Sequence, residues 1–332
     1  MASRKRPRVA VIGAGLAGLT AARTLAAAGC APLVLEKSRG VGGRMASRRP
    51  FGPEHPLAID HGAPCVSALD WAAADPPGYD AAAHALVGWP AATSAHAAAA
   101  VGAPAMTAPA RALAQGLDIR LERAAAAVTR AADGWRVALR APDGAETVGP
   151  FEAVALAVPA PQARALAGAH APAEATDAEM TPCWSALAAF APGDDPAPPA
   201  DAYLAHPVAP IALQVETTAK PGRRRDAGAA FTLYATPEWS AARLELEKPA
   251  AAQALFDAAR EAAGWRAAPV HLAGHRWRLA RTSRAAGSPF WLAPGGDFGV
   301  CGDWRLGPDA AHAVASGRAL GDAMAARLAR SG

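Results

Sequence analysis

Short runs in which every residue is apolar alternate, over the first part of the chain, with stretches of helical length built from small residues. Residues 9–12 (VAVI) and 32–35 (PLVL) offer no polar position at all, the pattern of strands buried on both faces. Residues 19–28 between them predict a crossover helix. Further apolar strands are expected at 151–158 and from 298 to the Gly302-Asp303 pair, the latter followed by a helix over 308–328 with Asp309 as its cap. Residues 118–122, 126–130 and 134–140 alternate, and the turn signals Ala132-Asp133-Gly134 and Pro142-Asp143-Gly144 delimit an antiparallel meander. In the second half, 182–187, 211–215, 231–234 and 271–279 read as mainly antiparallel strands, with helix from 240 and over 250–263. Residues 72–109 show little periodicity and predict irregular structure with short helices, apart from a helix over 106–115. The expected class is α/β. A Rossmann-like domain (1–70, 105–180 and 285–332) receives an inserted, mainly antiparallel α+β substrate domain (71–104 and 181–284).

The turn after the first strand carries the chemistry. In Gly13-Ala14-Gly15-Leu16-Ala17-Gly18, Gly13 permits a tight strand-to-helix turn, Gly15 lets backbone approach a pyrophosphate, and Gly18 lets the helix pack close on the sheet. The anion then meets unpaired N–H groups at the helix start. Glu36 ends the second strand, where a carboxylate accepts hydrogen bonds from ribose hydroxyls and disfavours a 2′-phosphate.

Composition narrows the class further. With 332 residues and 52% hydrophobic content the chain buries a substantial core, although much of that fraction is alanine. The formal charge of +4 is spread along the chain, which suits an anionic ligand better than a nucleic-acid face. Only residues 4–8 and 223–225 form basic clusters, both read as solvated. The four cysteines, Cys30, Cys65, Cys183 and Cys301, show no metal or dithiol spacing. MASRKRPR precedes an apolar stretch like a secretory signal, but GAGLAG interrupts it and a strand accounts for it better. No apolar run is long enough to span a bilayer, so a cytoplasmic protein with no membrane partner is expected.

The loop over residues 37–44, KSRGVGGR, resembles the GGR element of FAD-binding amine-oxidase-like flavoproteins. Asp60-His61-Gly62-Ala63, together with the PCW, KPGR, PEWS and HRWR elements in that order, resembles the bacterial renalase-like branch of that superfamily. That resemblance implies a non-covalent FAD in the first domain. It implies contacts from Gly13, Ala14, Gly15, Gly18, Glu36, Lys37, Gly43, Arg44, His61, Gly62, Val128, Asp303, Ala311 and His312. Val128 stands where a strand passes the adenine, and Asp303 where an acid bonds the ribityl or pyrophosphate linkage. The chain departs from the family pattern at Pro64-Cys65-Val66, at Ala311-His312 and at Leu279, where the family has a more polar and aromatic stretch, Glu-Gly and a nearby tyrosine.

Residues 271–279, HLAGHRWRL, are expected to roof the substrate. With strand periodicity His271, His275 and Trp277 share one face and Arg276 and Arg278 the other. The implied reaction is oxidation of isomeric NADH and NADPH to NAD(P)⁺ with hydrogen peroxide from O2. His275 and Trp277 would position the ring, and arginines would receive the phosphates of the reduced dinucleotide. No protein acid or base is obligatory, and no metal is expected. An amine or amino-acid oxidase on the same fold, or a flavin-binding protein without turnover, are the other readings. The oligomeric state is open.

Overall fold

The all-apolar run near the start of the chain forms the middle of a sheet, because only a strand covered on both faces hides every side chain. Arg8–Ile12 pairs in parallel with Ala31–Leu35 on one side and Ala153–Leu156 on the other, and Val9, Ala10 and Val11 are wholly buried. In the computed structural model, which describes residues 6–74, 79–92, 98–194, 196, 202–205 and 209–330, this sheet has six strands. Their order is Trp291–Leu292, Phe298–Val300, Ala153–Leu156, Arg8–Ile12, Ala31–Leu35 and Asp118–Arg120. All neighbours run parallel except the first pair. Strands far apart in sequence therefore end at one edge, next to the starts of the helices Leu16–Ala27 and Ala310–Leu328.

The alternating strands divide differently from the sequence reading. Asp118–Arg120 was expected in the meander but extends the parallel sheet beside Ala31–Leu35. The meander is Ala124–Ala131, Gly134–Ala141 and Gly144–Phe151. Its third strand takes in Phe151, and the buried strand that follows begins only at Ala153.

A second, antiparallel sheet follows the order Tyr203–Ala205, Ile211–Glu216, Ala230–Ala235, Glu179–Ala189 and His271–Arg284. Period-two alternation splits its side chains between two environments. Trp184, Phe231 and Leu233 pack with Leu255, Phe256 and Trp265 beneath the helix Lys248–Ala263. Ser185, Thr232 and Tyr234 turn to the first sheet's loops. Trp71, Ala82, Trp89 and Val101, from the irregular region, join the core that contains Val9 and Leu19. Among the described residues, no helix is long and apolar enough to cross a membrane, no acidic, His or Cys cluster could hold a metal, and all four cysteines are free.

A buried ion cluster ties the short ladder of Ser47–Arg48 and Ile59–Asp60 to the turn that follows Ile211–Glu216 in the second sheet. Asp60, fully buried, accepts from Lys220 Nζ at 3.0 Å and Arg223 Nη2 at 2.7 Å through one oxygen. Its other oxygen accepts from Ser47 Oγ at 2.5 Å and from the Met106 N–H at 3.1 Å. Burial by itself would raise the Asp60 carboxyl, but Lys220 and Arg223 outweigh it and hold the group down at about 2. Burial also lowers the Lys220 ammonium against the pull of Asp60, and that ammonium lies 5.5 Å from the buried Trp89 ring. The basic run at 223–225 is thus only partly solvated. Arg224 and Arg225 are exposed, whereas the Arg223 side chain is 2% exposed, because the turn at Lys220 points it inward at Asp60.

Replacing Asp60 by Asn leaves two cations without their counter-charge in the interior. Asp60→Asn is expected to cost about 3–5 kcal/mol of unfolding free energy. Urea unfolding followed by tryptophan fluorescence measures this, and a loss under ~1 kcal/mol would show that the cluster does not hold these segments together.

Candidate functional site

The two glycine-rich loops, the loop at His61 and the roof strand His271–Arg284 enclose one cavity of about 2420 Å³. That is well above the roughly 300–1,000 Å³ of ordinary small-molecule sites and leaves room for a dinucleotide with a second ligand.

At its base the backbone is pinned by Glu36. One carboxylate oxygen accepts the Ala14 N–H and the other the Ser38 N–H, each at 2.8 Å, while the Gly42 N–H bonds the Ala14 carbonyl at 2.8 Å. Each Glu36 oxygen keeps a further lone pair for a ribose hydroxyl, and Glu36 and Lys37 both line the cavity. The glycines divide as their positions imply. A Cβ at Gly18 would sit 1.9 Å from the Gly13 carbonyl oxygen, so that residue serves helix–strand packing. A Cβ at Gly15 would meet nothing within 4 Å, and Gly15 caps Leu16–Ala27 with no side-chain bond. The first N–H groups of that helix thus face the cavity beside Gly43, as an anion requires. Gly13, Gly15 and Gly43 line the space, whereas Ala14 and Gly18 shape the turn behind it.

Arg44 and Asp303, separated by most of the chain, form a bidentate ion pair. Arg44 Nη1 lies 2.9 Å from one Asp303 oxygen, Nη2 contacts the other, and Thr282 Oγ1 donates to the same carboxylate at 3.1 Å. Arg44 also donates to the Ala280 carbonyl at 3.2 Å, which attaches the GGR loop to the roof. Gly62 is dictated by that loop, since a Cβ there would lie 1.9 Å from the Arg44 carbonyl oxygen.

Besides Ala14 and Gly18, three further expected cofactor contacts do not line the cavity. Val128 is 5% exposed within the core of Trp135 and Val137, and the cavity wall from its strand is Ala124, Ala125 and Ala126. The pairing with Gly134–Ala141 is irregular at Ala138/Leu139, between Val128 and that wall. His312 turns back along its own helix, where Nδ1 accepts the Asp309 N–H at 3.2 Å and the Asp309 side chain accepts the His312 N–H, a reciprocal capping box. From this helix Asp309, Ala310 and Ala313 face the cavity; Ala311 and His312 do not.

The roof brings His61, His275 and Trp277 into one aromatic cluster. Ring centroids are 4.4 Å apart for His61–His275, 4.3 Å for His275–Trp277 and 5.3 Å for the stacked His61–Trp277 pair. Trp277 Nε1 donates to the His61 carbonyl at 2.8 Å. Arg48 Nη2 lies 2.8 Å from His275 Nδ1; because arginine only donates, the His275 proton sits on Nε2. Burial, then Arg48, pushes His275 down to about 4, and burial, then His275, pushes His61 down to about 3. Both imidazoles are neutral at pH 7. Arg276 and Arg278 face the other way, where both pair with Glu245. The strand alternation read from the sequence is therefore met, and His271 lines the same cavity.

Sequence reasoning missed Arg48, Cys183, Tyr203 and Tyr234, which also line the cavity. Arg48 sits in an unremarkable basic run and gave no signal, while the other three occupy alternating strand positions whose shared face only the register reveals. His84 also lines the cavity, and Trp89 is buried core. The Pro64-Cys65-Val66 departure lines the cavity too, and burial raises the Cys65 thiol to about 11 and that of Cys183 to about 12. Basic residues outnumber acids in the lining, although Arg44 is paired with Asp303, Arg123 with Asp143 and Glu146, and Arg276 and Arg278 with Glu245.

Comparison with known proteins agrees with the geometry. A family model described as NAD(P)-binding Rossmann-like domain matches residues 11–74. A crystal structure assigned as a protoporphyrinogen oxidase from Exiguobacterium sp. 255-15 superposes with a TM-score of 0.70 at 12% identity, covering 98% of this chain and 100% of that one. Cyclohexylamine oxidase from Brevibacterium oxydans IH-35A gives a TM-score of 0.68 at 13% identity over the same shares. The chain therefore shares the fold of these two proteins, with a Rossmann-like dinucleotide-binding domain.

Gly15→Ala is expected to leave stability unchanged yet weaken uptake of added FAD at least about tenfold, because its methyl enters the cradle. Gly18→Ala should instead cost about 1–3 kcal/mol by overpacking. Fluorescence titration and urea unfolding of both variants check the contrast, and equal behaviour would refute the division of roles.

The depressed imidazoles also set a pH dependence. A histidine whose folded pKa lies below its ordinary value of about 6.5 contributes stability that is complete above that pH and lost as pH falls toward the folded value. Melting temperature should hold from pH 8 to about 6.5 and then decline toward pH 4, with a shallower decline in His275→Gln. An unchanged slope in the variant would contradict the neutral, desolvated His275.

Proposed function

We propose that this chain is an FAD-dependent oxidase of the amine-oxidase-like superfamily, in its renalase-like branch, acting on reduced dihydronicotinamides. FAD fits the residues present: the open side of Gly15, the uncapped helix start, the remaining lone pairs of Glu36 and the basic Lys37 and Arg44 together accept a ribose and a diphosphate. When bound, FAD supplies the redox chemistry, taking a hydride from the substrate and passing two electrons to O2, which with two protons leaves as hydrogen peroxide. Residues 1–70, 105–180 and 285–332 would hold it, and 71–104 and 181–284 would shape the substrate chamber. Buried, protonated thiols at Cys65 and Cys301 favour non-covalent attachment.

The observation that carries the substrate reading is the separation of charge in the lining. The lining carries more basic than acidic residues, while one part of it, His61, His275, Trp277, Tyr203 and Tyr234, is made of neutral groups, with Arg48 behind His275. A reduced dinucleotide has the matching shape: phosphates for the cationic part, an uncharged planar ring for the roof. His275 and Trp277 orient that ring, and His275, with Arg48 on Nδ1 and its proton on Nε2, has no lone pair free to take a proton from it. A cationic amine finds no carboxylate on this roof among the described residues, which disfavours an amine oxidase.

Anaerobic mixing of the FAD-loaded protein with isomeric dihydronicotinamide dinucleotides is expected to bleach the flavin band, with no change in rate attributable to a group titrating near pH 6.5. Bleaching by primary amines or amino acids alone would transfer the chain to the amine-oxidase reading. A flavin that no donor reduces would make it a binding protein.

A further inference from the structure

The roof carries a polar atom for which the fold provides no partner. Tyr234 lies on Ala230–Ala235 opposite Ser185 on one side and Leu213 on the other. It stands on the face turned toward His61. Thr232, two residues earlier, donates to the Asp60 carbonyl at 2.7 Å, and Ser185 donates to the His61 carbonyl at 3.3 Å. His275 is the next residue across the sheet from Ser185, so Tyr234, Ser185 and His275 form one cross-strand row.

Tyr234 is 8% exposed and lines the cavity, yet its buried hydroxyl has no hydrogen-bond partner among the described residues. Such groups are rare in folded proteins and each calls for an explanation. Burial raises the phenol well above its ordinary value, with Asp60, Cys183, Cys65 and Tyr203 adding to the rise, so it stays a neutral O–H donor. Its cavity neighbours Cys65, Cys183 and Tyr203 are uncharged at neutral pH, and the Asp60 carboxylate is committed to Lys220 and Arg223. The other charged side chains that act on these neighbours are Arg281, on Tyr203, and Asp309, on Cys65. A neutral acceptor would complete the hydroxyl.

We propose that the Tyr234 hydroxyl is a specificity-determining contact of the substrate chamber, donating a hydrogen bond to a neutral carbonyl carried by the planar ring that His275 and Trp277 face. This rests on the dihydronicotinamide reading and sharpens it. The carboxamide of the ring, and not the ring alone, is what the chamber selects, since a site built to bond a polar group rejects analogues that lack it.

The test uses binding, so that it does not depend on turnover. The FAD-loaded full chain and Tyr234→Phe are titrated calorimetrically with benzamide and with toluene, and both proteins are melted. Benzamide should bind the wild type and weaken about tenfold or more in the variant, toluene should bind both alike, and the variant's melting temperature should be equal or higher. No benzamide binding to the wild type, equal weakening of both ligands, or no weakening of either overturns the proposal. A lower melting temperature also overturns it, because it would mean that the hydroxyl already has a partner in the fold. If Tyr234 discriminates benzamide while dihydronicotinamides leave the flavin oxidised, the contact stands and the substrate assignment fails.

Discussion

The carboxylate of Asp60, fully buried and met by Lys220 and Arg223, is the constraint on which the rest of the site depends. An ion placed in the interior is tolerated only when its charge and lone pairs are satisfied, and Ser47 and the Met106 N–H complete that requirement. Its consequence lies one residue on. With Asp60 immobile, the His61 carbonyl is held where Ser185 Oγ and Trp277 Nε1 both reach it, and the Asp60 carbonyl where Thr232 Oγ1 reaches it, so the roof strands are fastened to this segment through two successive backbone oxygens.

A second fastening acts from the other side. Arg44 ends the GGR loop and Asp303 begins the last turn before the C-terminal helix, and their ion pair, with Thr282 and the Ala280 carbonyl, joins three separate segments at the cavity wall. Both residues were read as ligands of the cofactor. Their engagement with each other means that any contact to a cofactor is made by groups already held in place, which lowers the ordering cost of binding.

Between these fastenings the electrostatics are divided. Charge is concentrated where the lining is basic, and the roof is kept neutral by desolvation of His61 and His275. Arg48 sits against His275 without protonating it, and fixes its tautomer instead. With the Nδ1 lone pair engaged by Arg48, His275 presents an N–H and not a base to the cavity.

Local chemistry was enough to identify the Rossmann-like half. A strand buried on both faces must be apolar throughout, a turn that admits a diphosphate must be glycine, and Gly18 must lack a side chain because the Gly13 carbonyl is where its Cβ would be. Strand alternation likewise placed His275 and Trp277 on one face and Arg276 and Arg278 on the other. What pattern could not supply was pairing between distant segments. Nothing adjacent to Arg223 in the chain distinguishes it from the solvated Arg224, because its burial is decided by Asp60, far away in sequence. Nor does the sequence around Val128, His312 or Asp118 tell which strand register, helix cap or sheet each will join. Tyr234 reads as one more alternating apolar position. Only tertiary packing removes its hydroxyl from water without giving it a partner, because burial and partnership are properties of the assembled surface and not of the strand that carries the residue.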